Sequence, residues 1–387
     1  MRRFRLIAAL SLMLVGTVWV GTANATFPAA QNGRIVFERQ VNGKSHVFVM
    51  NADGSNPVDL SPADTKGDFN PQFSPNGQWI IFERGLDPEG TFQTFLMRPD
   101  GTGAVDLTPG LQGAAGATFS PDGKQIAFIM DTNPALNAGF YTAAIMNADG
   151  SGVRDLTPST ERFEHRVDFS PDGTKIVFDG DDPNSAIFSI NPDGTGETRL
   201  TPVSGPTDQA ATFSPAGTQL TWSREVATND FDIHVGDTTL GGATDLTPGP
   251  AGPPSKVSPV FSPDGTKIAY HGYGGMSFNT EIFVMPATGG AATDLSPDSA
   301  TNDNSPHWEY IYMCGKRRAT IVGDDGPEVI KGTKRADVIV GNGGNDKIKG
   351  KGGNDRICGG RGNDRLIGGA GRKDRLVGGP GKDKQQQ

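Results

Sequence analysis

The sequence predicts an all-β protein, a six-bladed β-propeller with a C-terminal parallel β-roll, and three observations carry that prediction. A five-residue motif recurs as FSPNG at 73–77, FSPDG at 119–123, FSPDG at 169–173, FSPAG at 213–217 and FSPDG at 261–265, with spacings of 46, 50, 44 and 48. Each copy opens a unit of four short strand-like segments, which ends in an Asp-Leu-Thr-Pro type element. From Gly323 to Lys384 the chain then repeats every nine residues. Four-stranded units of about 40–50 residues with regular turn punctuation are the sequence form of propeller blades.

The unit beginning at Phe261 shows the elements in order. Its first strand ends in Val260-Phe261, and the others are Lys267-Ile268-Ala269-Tyr270, Glu281-Ile282-Phe283-Val284-Met285 and Ala292-Thr293-Asp294-Leu295. Ser, Pro, Asp and Gly in succession give the first connection type I turn chemistry, with proline presetting φ at the second position. A second turn, Asn-Ala-Asp-Gly at 51–54 and 147–150 or Pro-Asp-Gly at 99–101 and 192–194, links the third strand to the fourth. The closing element occurs six times, at 59–62, 106–109, 155–158, 199–202, 245–248 and 294–297, against five FSPxG motifs. The incomplete blade lacks its first strand. The chain enters the body with Arg34-Ile35-Val36-Phe37, a second-strand sequence, and leaves it with Ser305-Pro306-His307-Trp308-Glu309-Tyr310, a first-strand sequence. Pairing the two ends closes the ring and removes the exposed sheet edges of an open array.

These repeats resemble the TolB-like propeller family, whose PD40-type repeat carries the same FSPDG turn and closing Asp-Leu-Thr-Pro, and the resemblance covers nearly all of residues 33–312. True TolB proteins within that family also carry a substantial N-terminal α/β domain, for which this sequence leaves almost no room, so the resemblance is not extended to their partners.

The nine-residue turns are GDDGPEVIK, GTKRADVIV, GNGGNDKIK, GKGGNDRIC, GGRGNDRLI, a ten-residue GGAGRKDRLV and a truncated GGPGKDK. Each sets an acid in a glycine-rich loop just ahead of an aliphatic residue. They resemble the hemolysin-type (RTX) nonapeptide GGxGxDxUx, a six-residue loop followed by a three-residue strand. Short stacked strands burying one aliphatic each, with loops that need glycine for close backbone approach, give the same answer on physical grounds; the alternative is a glycine-rich disordered tail. The resemblance implies Ca²⁺ as cofactor, held in an oxygen shell of carboxylates and backbone carbonyls. Transferred position by position, it assigns the metal to Asp337, Gly341, Gly343, Asn345, Asp346, Gly350, Gly352, Asn354, Asp355, Gly359, Arg361, Asn363 and Asp364. Because each nonapeptide completes half a coil, loops two apart share an edge, pairing Asp337 with Asp355 and Asp346 with Asp364. Glu328 in place of Asp, Lys334-Arg335 in the second turn and the residue inserted at Arg372-Lys373 predict weak or empty sites in the first and last turns.

The N-terminus reads as an export signal: Arg2, Arg3 and Arg5, an apolar run from Leu6 to Val20, and Ala23-Asn24-Ala25 as a cleavage site. The expected organisation is a signal peptide at 1–25, a propeller at 26–312 and a roll with a short polar tail at 313–387. Secreted or periplasmic residence follows, without a transmembrane anchor after cleavage, since the apolar run is short and no second one exists. The formal charge of −9 is unevenly spread: from Gly323 onward fourteen Lys and Arg face nine acids, and with the three leader arginines set aside residues 26–322 stand at −17. So acidic a body argues against nucleic acid as a partner. In an exported chain the two cysteines, Cys314 and Cys358, are expected to form one disulfide; two separate thiols are the alternative.

Signals for catalysis are sparse. No G-x-S-x-G or H-E-x-x-H occurs, and the five histidines (His46, His165, His234, His271 and His307) are scattered. Asp179 to Asp182 fails the EF-hand template, with Pro183 and Ile190 at positions that should supply ligands. Asp68, Glu164, Asp208 and Asp303 stand five positions before an inner-strand aromatic, where they and His307 could ring the channel mouth and attract a cation; alternatively each takes local backbone amides. The expected function is a calcium-binding platform whose propeller binds a protein or envelope polymer without catalysis. A propeller lyase or lactonase with a metal in the channel is the other reading, because fold does not dictate function.

Overall fold

The computed structural model describes residues 30–387 apart from 62–65, 87–90, 112, 133–140, 159–162, 183, 249–254, 274–278 and 298–300. The expected export signal and its cleavage site lie outside the described residues.

Six four-stranded antiparallel sheets surround a central channel. In blade one the strand Gln31–Val41 pairs with Lys44–Met50 on one side and with Asp303–Ile311 on the other, so the last strand of the body is the innermost strand of the first blade. Ile35 lies opposite Trp308 and Val36 opposite His307. Both ends of the propeller are thus consumed in one sheet, as the offset between motif counts predicts.

Local chemistry explains the repeated motifs. In all five FSPxG turns the glycine amide donates to the serine carbonyl at 2.8 Å. The serine hydroxyl donates to the turn's Asp at 2.7, 2.6 and 2.7 Å in the copies holding Asp122, Asp172 and Asp264. In the closing element the Asp accepts the amide two residues on, and the Ser or Thr hydroxyl accepts an amide of the third strand; Thr108 takes the amide of Thr94 at 3.0 Å. That side-chain bond extends a fourth strand only two residues long, such as Val105–Asp106. The motif phenylalanines are packing residues: Phe73, Phe119, Phe169 and Phe261 are buried in the apolar clusters between and within blades.

The C-terminal region winds into two parallel four-stranded sheets, with sequence-alternate strands in the same sheet. Ile330 stacks on Ile348 and Leu366 in one, Ile339 on Ile357 and Leu376 in the other. These residues form a single apolar column. The extra residue at Arg372-Lys373 is absorbed in its loop, since Arg356 still pairs with Arg375. Cys314 and Cys358 are disulfide-bonded, with Cα atoms 5.7 Å apart, and tie the end of the propeller to the middle of the roll.

The roll also docks on the propeller, which no sequence signal announced. It lies over the edge carrying the FSPxG turns, where Asp324 packs against Gly123, Lys124 reaches Gly326, and Gln78 Nε2 approaches the Val322 carbonyl at 3.5 Å. Arg361 shares a groove with Thr174, Lys175 and Gly217.

Candidate functional site

The nonapeptide loops hold the strongest site. Loops two apart lie over one another, and the backbone amide of each acid donates to the carboxylate of the loop above: Asp337 to Asp355 (2.9 Å), Asp346 to Asp364 (2.9 Å) and Asp355 to Asp374 (2.8 Å). One carboxylate oxygen is thereby used. The other, Oδ2 of Asp346, Asp355, Asp364 and Asp374, is buried without any hydrogen-bond partner. Each points into a cradle shaped by glycine: a Cβ at Gly350 would collide with Asp355 Oδ2 and the Gly368 carbonyl, and one at Gly359 with Asp364 Oδ2 and the Gly378 carbonyl. Buried acceptors without donors are costly. Burial pushes the Asp346 carboxyl up to about 7, and the stacked Asp364 and nearby Glu328 add to the rise. Burial raises Asp355 and Asp364 as well, against the pull of the amides they accept, with the neighbouring acids again adding. Converging carboxylate and carbonyl oxygens without internal counter-charge are the donor set a hard divalent cation requires, so these residues fit Ca²⁺.

Two loops differ from the sequence expectation. Asp337 has its carboxylate filled by Thr333, whose amide donates at 2.6 Å and whose hydroxyl lies at 3.0 Å, so this turn closes its acid internally. Asp374, in the loop with the inserted residue, has the same orphaned oxygen as its well-formed neighbours. Of the other assigned positions, Gly341, Gly350 and Gly359 frame the cradles. Asn345 and Asn363 bond loop to loop, the amide of Asn363 donating to Asn345 Oδ1 at 2.7 Å. Gly343 and Arg361 are bridged in parallel, while Gly352 lies over Lys334. Asn354 borders a surface groove with Asp337 and Asp355.

In the propeller the acids expected at the channel mouth turn their charge into the blades. Asp68 is fully buried and receives Arg84 through two bonds of 2.7 and 2.8 Å, Asp208 receives Arg224 in the same way, and Asp303 receives Arg39 at 2.7 and 2.6 Å. Glu164 accepts the Ala143 amide and the Thr157 hydroxyl. The closing element of the preceding blade contributes as well, with the Ser61 hydroxyl donating to Asp68 at 2.7 Å. These carboxylates fasten strand to strand and blade to blade.

A second ring, on the second strands, was not recognised in the sequence. Glu83 accepts the Gly116 amide at 2.6 Å, Asp179 the Ala210 amide at 3.2 Å, and His271 Nδ1 the Ser305 amide at 3.3 Å, each reaching the innermost strand of the next blade. Burial raises the carboxyls of Glu38 and Glu83 and pushes Asp179 up to about 6. Amid these acids Arg166, on blade four, extends across the opening and donates to Asn70 on blade two and Ser305 on blade one, both at 3.2 Å. Deeper in the channel His307 Nδ1 accepts the Phe73 amide at 3.3 Å, and burial drives its pKa down to about 4.

Comparison with known proteins agrees with both halves of the architecture. Residues 20–211 match the TolB beta propeller domain of PD40 repeats, and 322–357, 340–372 and 350–384 match the RTX calcium-binding nonapeptide repeat. The chain joins a TolB-type propeller to RTX repeats. A stretch of 94 residues, 24% of this chain, is 39% identical to the Tol-Pal system protein TolB of Gluconobacter oxydans, but spans only 18% of that relative. Among solved structures, TolB from Acinetobacter baumannii superposes with a TM-score of 0.61 at 20% identity, over 72% of this chain and 66% of that one. A putative TolB from Agrobacterium tumefaciens gives 0.54 at 18% identity, over 73% of this chain and all of that one. Kuenenia stuttgartiensis hydrazine synthase gives 0.60 at 14% identity, over 73% of this chain and 47% of that one. At these identities the structural likeness speaks to the fold alone.

Proposed function

We propose that the chain is an exported calcium-binding protein, secreted or periplasmic after cleavage near Ala25, whose propeller is a non-catalytic platform for a protein or cell-envelope component. The observation that carries the calcium reading is the set of buried, unpartnered Oδ2 atoms on Asp346, Asp355, Asp364 and Asp374. A bound cation would give these oxygens the partner the chain withholds. For the propeller, support comes from how its ionisable groups are used: the acids of the inner strands are engaged with arginines, amides and hydroxyls. The channel-metal lyase or lactonase reading therefore draws no specific support from the geometry.

Titration calorimetry of the mature chain tests the calcium reading. Binding is expected in the range of extracellular modules, roughly 10⁻⁴–10⁻³ M, and Asp346→Ala combined with Asp355→Ala, one from each edge, should abolish most of the heat. Parental binding by that double variant would overturn the assignment. Turnover in a glycan-lyase and lactonase screen, lost in His307→Gln, would overturn the non-catalytic reading.

A further inference from the structure

The roll and the propeller enclose a chamber of about 140 Å³ at the inner end of the channel, walled by the prolines of all five FSPxG turns and roofed by Asp325 and Asn342 of the roll. Its size is close to that of engineered cavities of about 150 Å³ that accept benzene. The charged side chains among its lining residues are both acids, Asp168 and Asp325. Asp168 stands at its floor, with Oδ2 accepting the Phe213 amide at 2.9 Å. Burial pushes its carboxyl up to about 7. No lysine or arginine lines the chamber. His307 adds no positive charge, since burial keeps it neutral. Tyr310 and Tyr312, stacked with centroids 6.4 Å apart, supply aromatic faces.

Asn342 is the independent sign of a ligand. Its Nδ2 donates to the Gly323 carbonyl at 2.8 Å, which fixes the amide orientation. The opposite end, Oδ1, has no partner although the residue is only 6% exposed. A buried acceptor lining an acidic, aromatic chamber calls for a donor that carries positive charge.

We propose that this chamber binds a small organic cation, a primary alkylammonium ion of about six non-hydrogen atoms. Asp168 supplies the opposing charge, with Asp325, which also faces Arg361, adding to it; the tyrosine rings face the cation, and an ammonium N–H satisfies Asn342 Oδ1. The site is independent of what the outer face of the propeller binds. It requires only the docked roll.

The test is calorimetry and thermal-shift analysis of the full mature chain in calcium, with n-butylammonium and n-pentylammonium as probes and n-butanol and n-pentanol as neutral counterparts. Circular dichroism run alongside shows whether the roll is folded, so a failure of calcium binding is told apart from a failure of this proposal. The ammonium ions should bind at least about ten-fold more tightly than the alcohols, and Asp168→Asn should weaken them about ten-fold. Thr118→Leu, which narrows the chamber without altering its charge, should weaken them, and it decides the matter should the Asp168 variant not fold. Equal binding of cations and alcohols, an unaffected Thr118→Leu variant, or no binding of either ammonium ion at millimolar concentration with the roll folded would overturn the proposal.

Discussion

The propeller and the roll both bury carboxylates and settle them in opposite ways. In the propeller the acids that open the inner strands are answered from within, as Asp68 is by Arg84 and Ser61, and Asp208 by Arg224, Trp222 and Thr201. In the roll an acid receives one amide from its neighbour and keeps one oxygen unanswered, in four consecutive loops. The first arrangement is closed, and removing an acid would strand a largely buried guanidinium at a cost of about 3–5 kcal/mol. The second is open and needs a cation from outside. The contrast predicts a propeller that folds by itself, joined in one chain to a roll whose order depends on a cation.

The sharpest way to break this comparison is to open the ring. Ending the chain before Ser305 removes Trp308, 1% exposed, and with it the innermost strand of blade one. Loss of such a side chain alone costs about 3–5 kcal/mol, and a free sheet edge is left besides. The truncated propeller should be unfolded or melt far below the parent in calorimetry. Ending the chain after Cys314 removes the roll and keeps the closure, so the propeller transition should survive. Equal melting of the two truncations would show that closure is not what holds the ring.

A smaller effect is expected from the covalent tie. Cys314 and Cys358 are 44 positions apart. On the chain-entropy account a loop of that length contributes about 4 kcal/mol. In calcium, Cys314→Ala with Cys358→Ala should lower the denaturant midpoint of the roll and leave that of the propeller nearly unchanged. Intact-mass analysis of the parent should show a two-hydrogen gain on reduction. A shift of both midpoints together would mean that the two regions unfold as one unit.

How much was legible follows from how local each feature is. Blade boundaries and ring closure were readable because FSPxG and Asp-Leu-Thr-Pro satisfy their own hydrogen bonds within a few residues, so the chemistry is written contiguously. The fate of Asp68, Asp208 and Asp303 was not, because their partners stand on another strand. A signal did exist: Phe-Glu-Arg at 37–39 and 82–84 and Trp-Ser-Arg at 222–224 place an arginine at one second-strand position in three blades, and the residue before it is Glu38, Glu83 or Ser223 of the second ring. In the roll the period gave the stacking, but the inserted residue near Asp374 looked like a defect although the loop absorbs it. Asp337 looked like a good ligand, although Thr333 in place of glycine supplies it with donors. Docking of the roll across the channel depends on surfaces brought together by folding, for which contiguous motifs carry no record.

The finest test of the contrast is the response of the calcium-free roll to pH. Burial lifts the carboxyls of Asp324 and Asp346 from an ordinary 3.8 to about 7 and raises those of Asp355 and Asp364. Between about pH 4 and 7 the folded roll thus holds more protons than the unfolded chain. Stability then falls as pH rises through this window. The destabilisation is complete above the folded pKa values and is relieved as pH falls toward the unfolded one. In chelator, hydrogen exchange over 340–370, corrected for the intrinsic rate, should show more protection at pH 5 than at pH 8. Calcium should reverse the order, because the metal needs deprotonated carboxylates and its apparent affinity weakens in acid. A neutral side chain at one stacked position, Asp364→Asn, should flatten the chelator slope while also weakening the response to calcium. Equal protection at the two pH values in chelator would show that the stacked acids are not what holds the roll open to a cation.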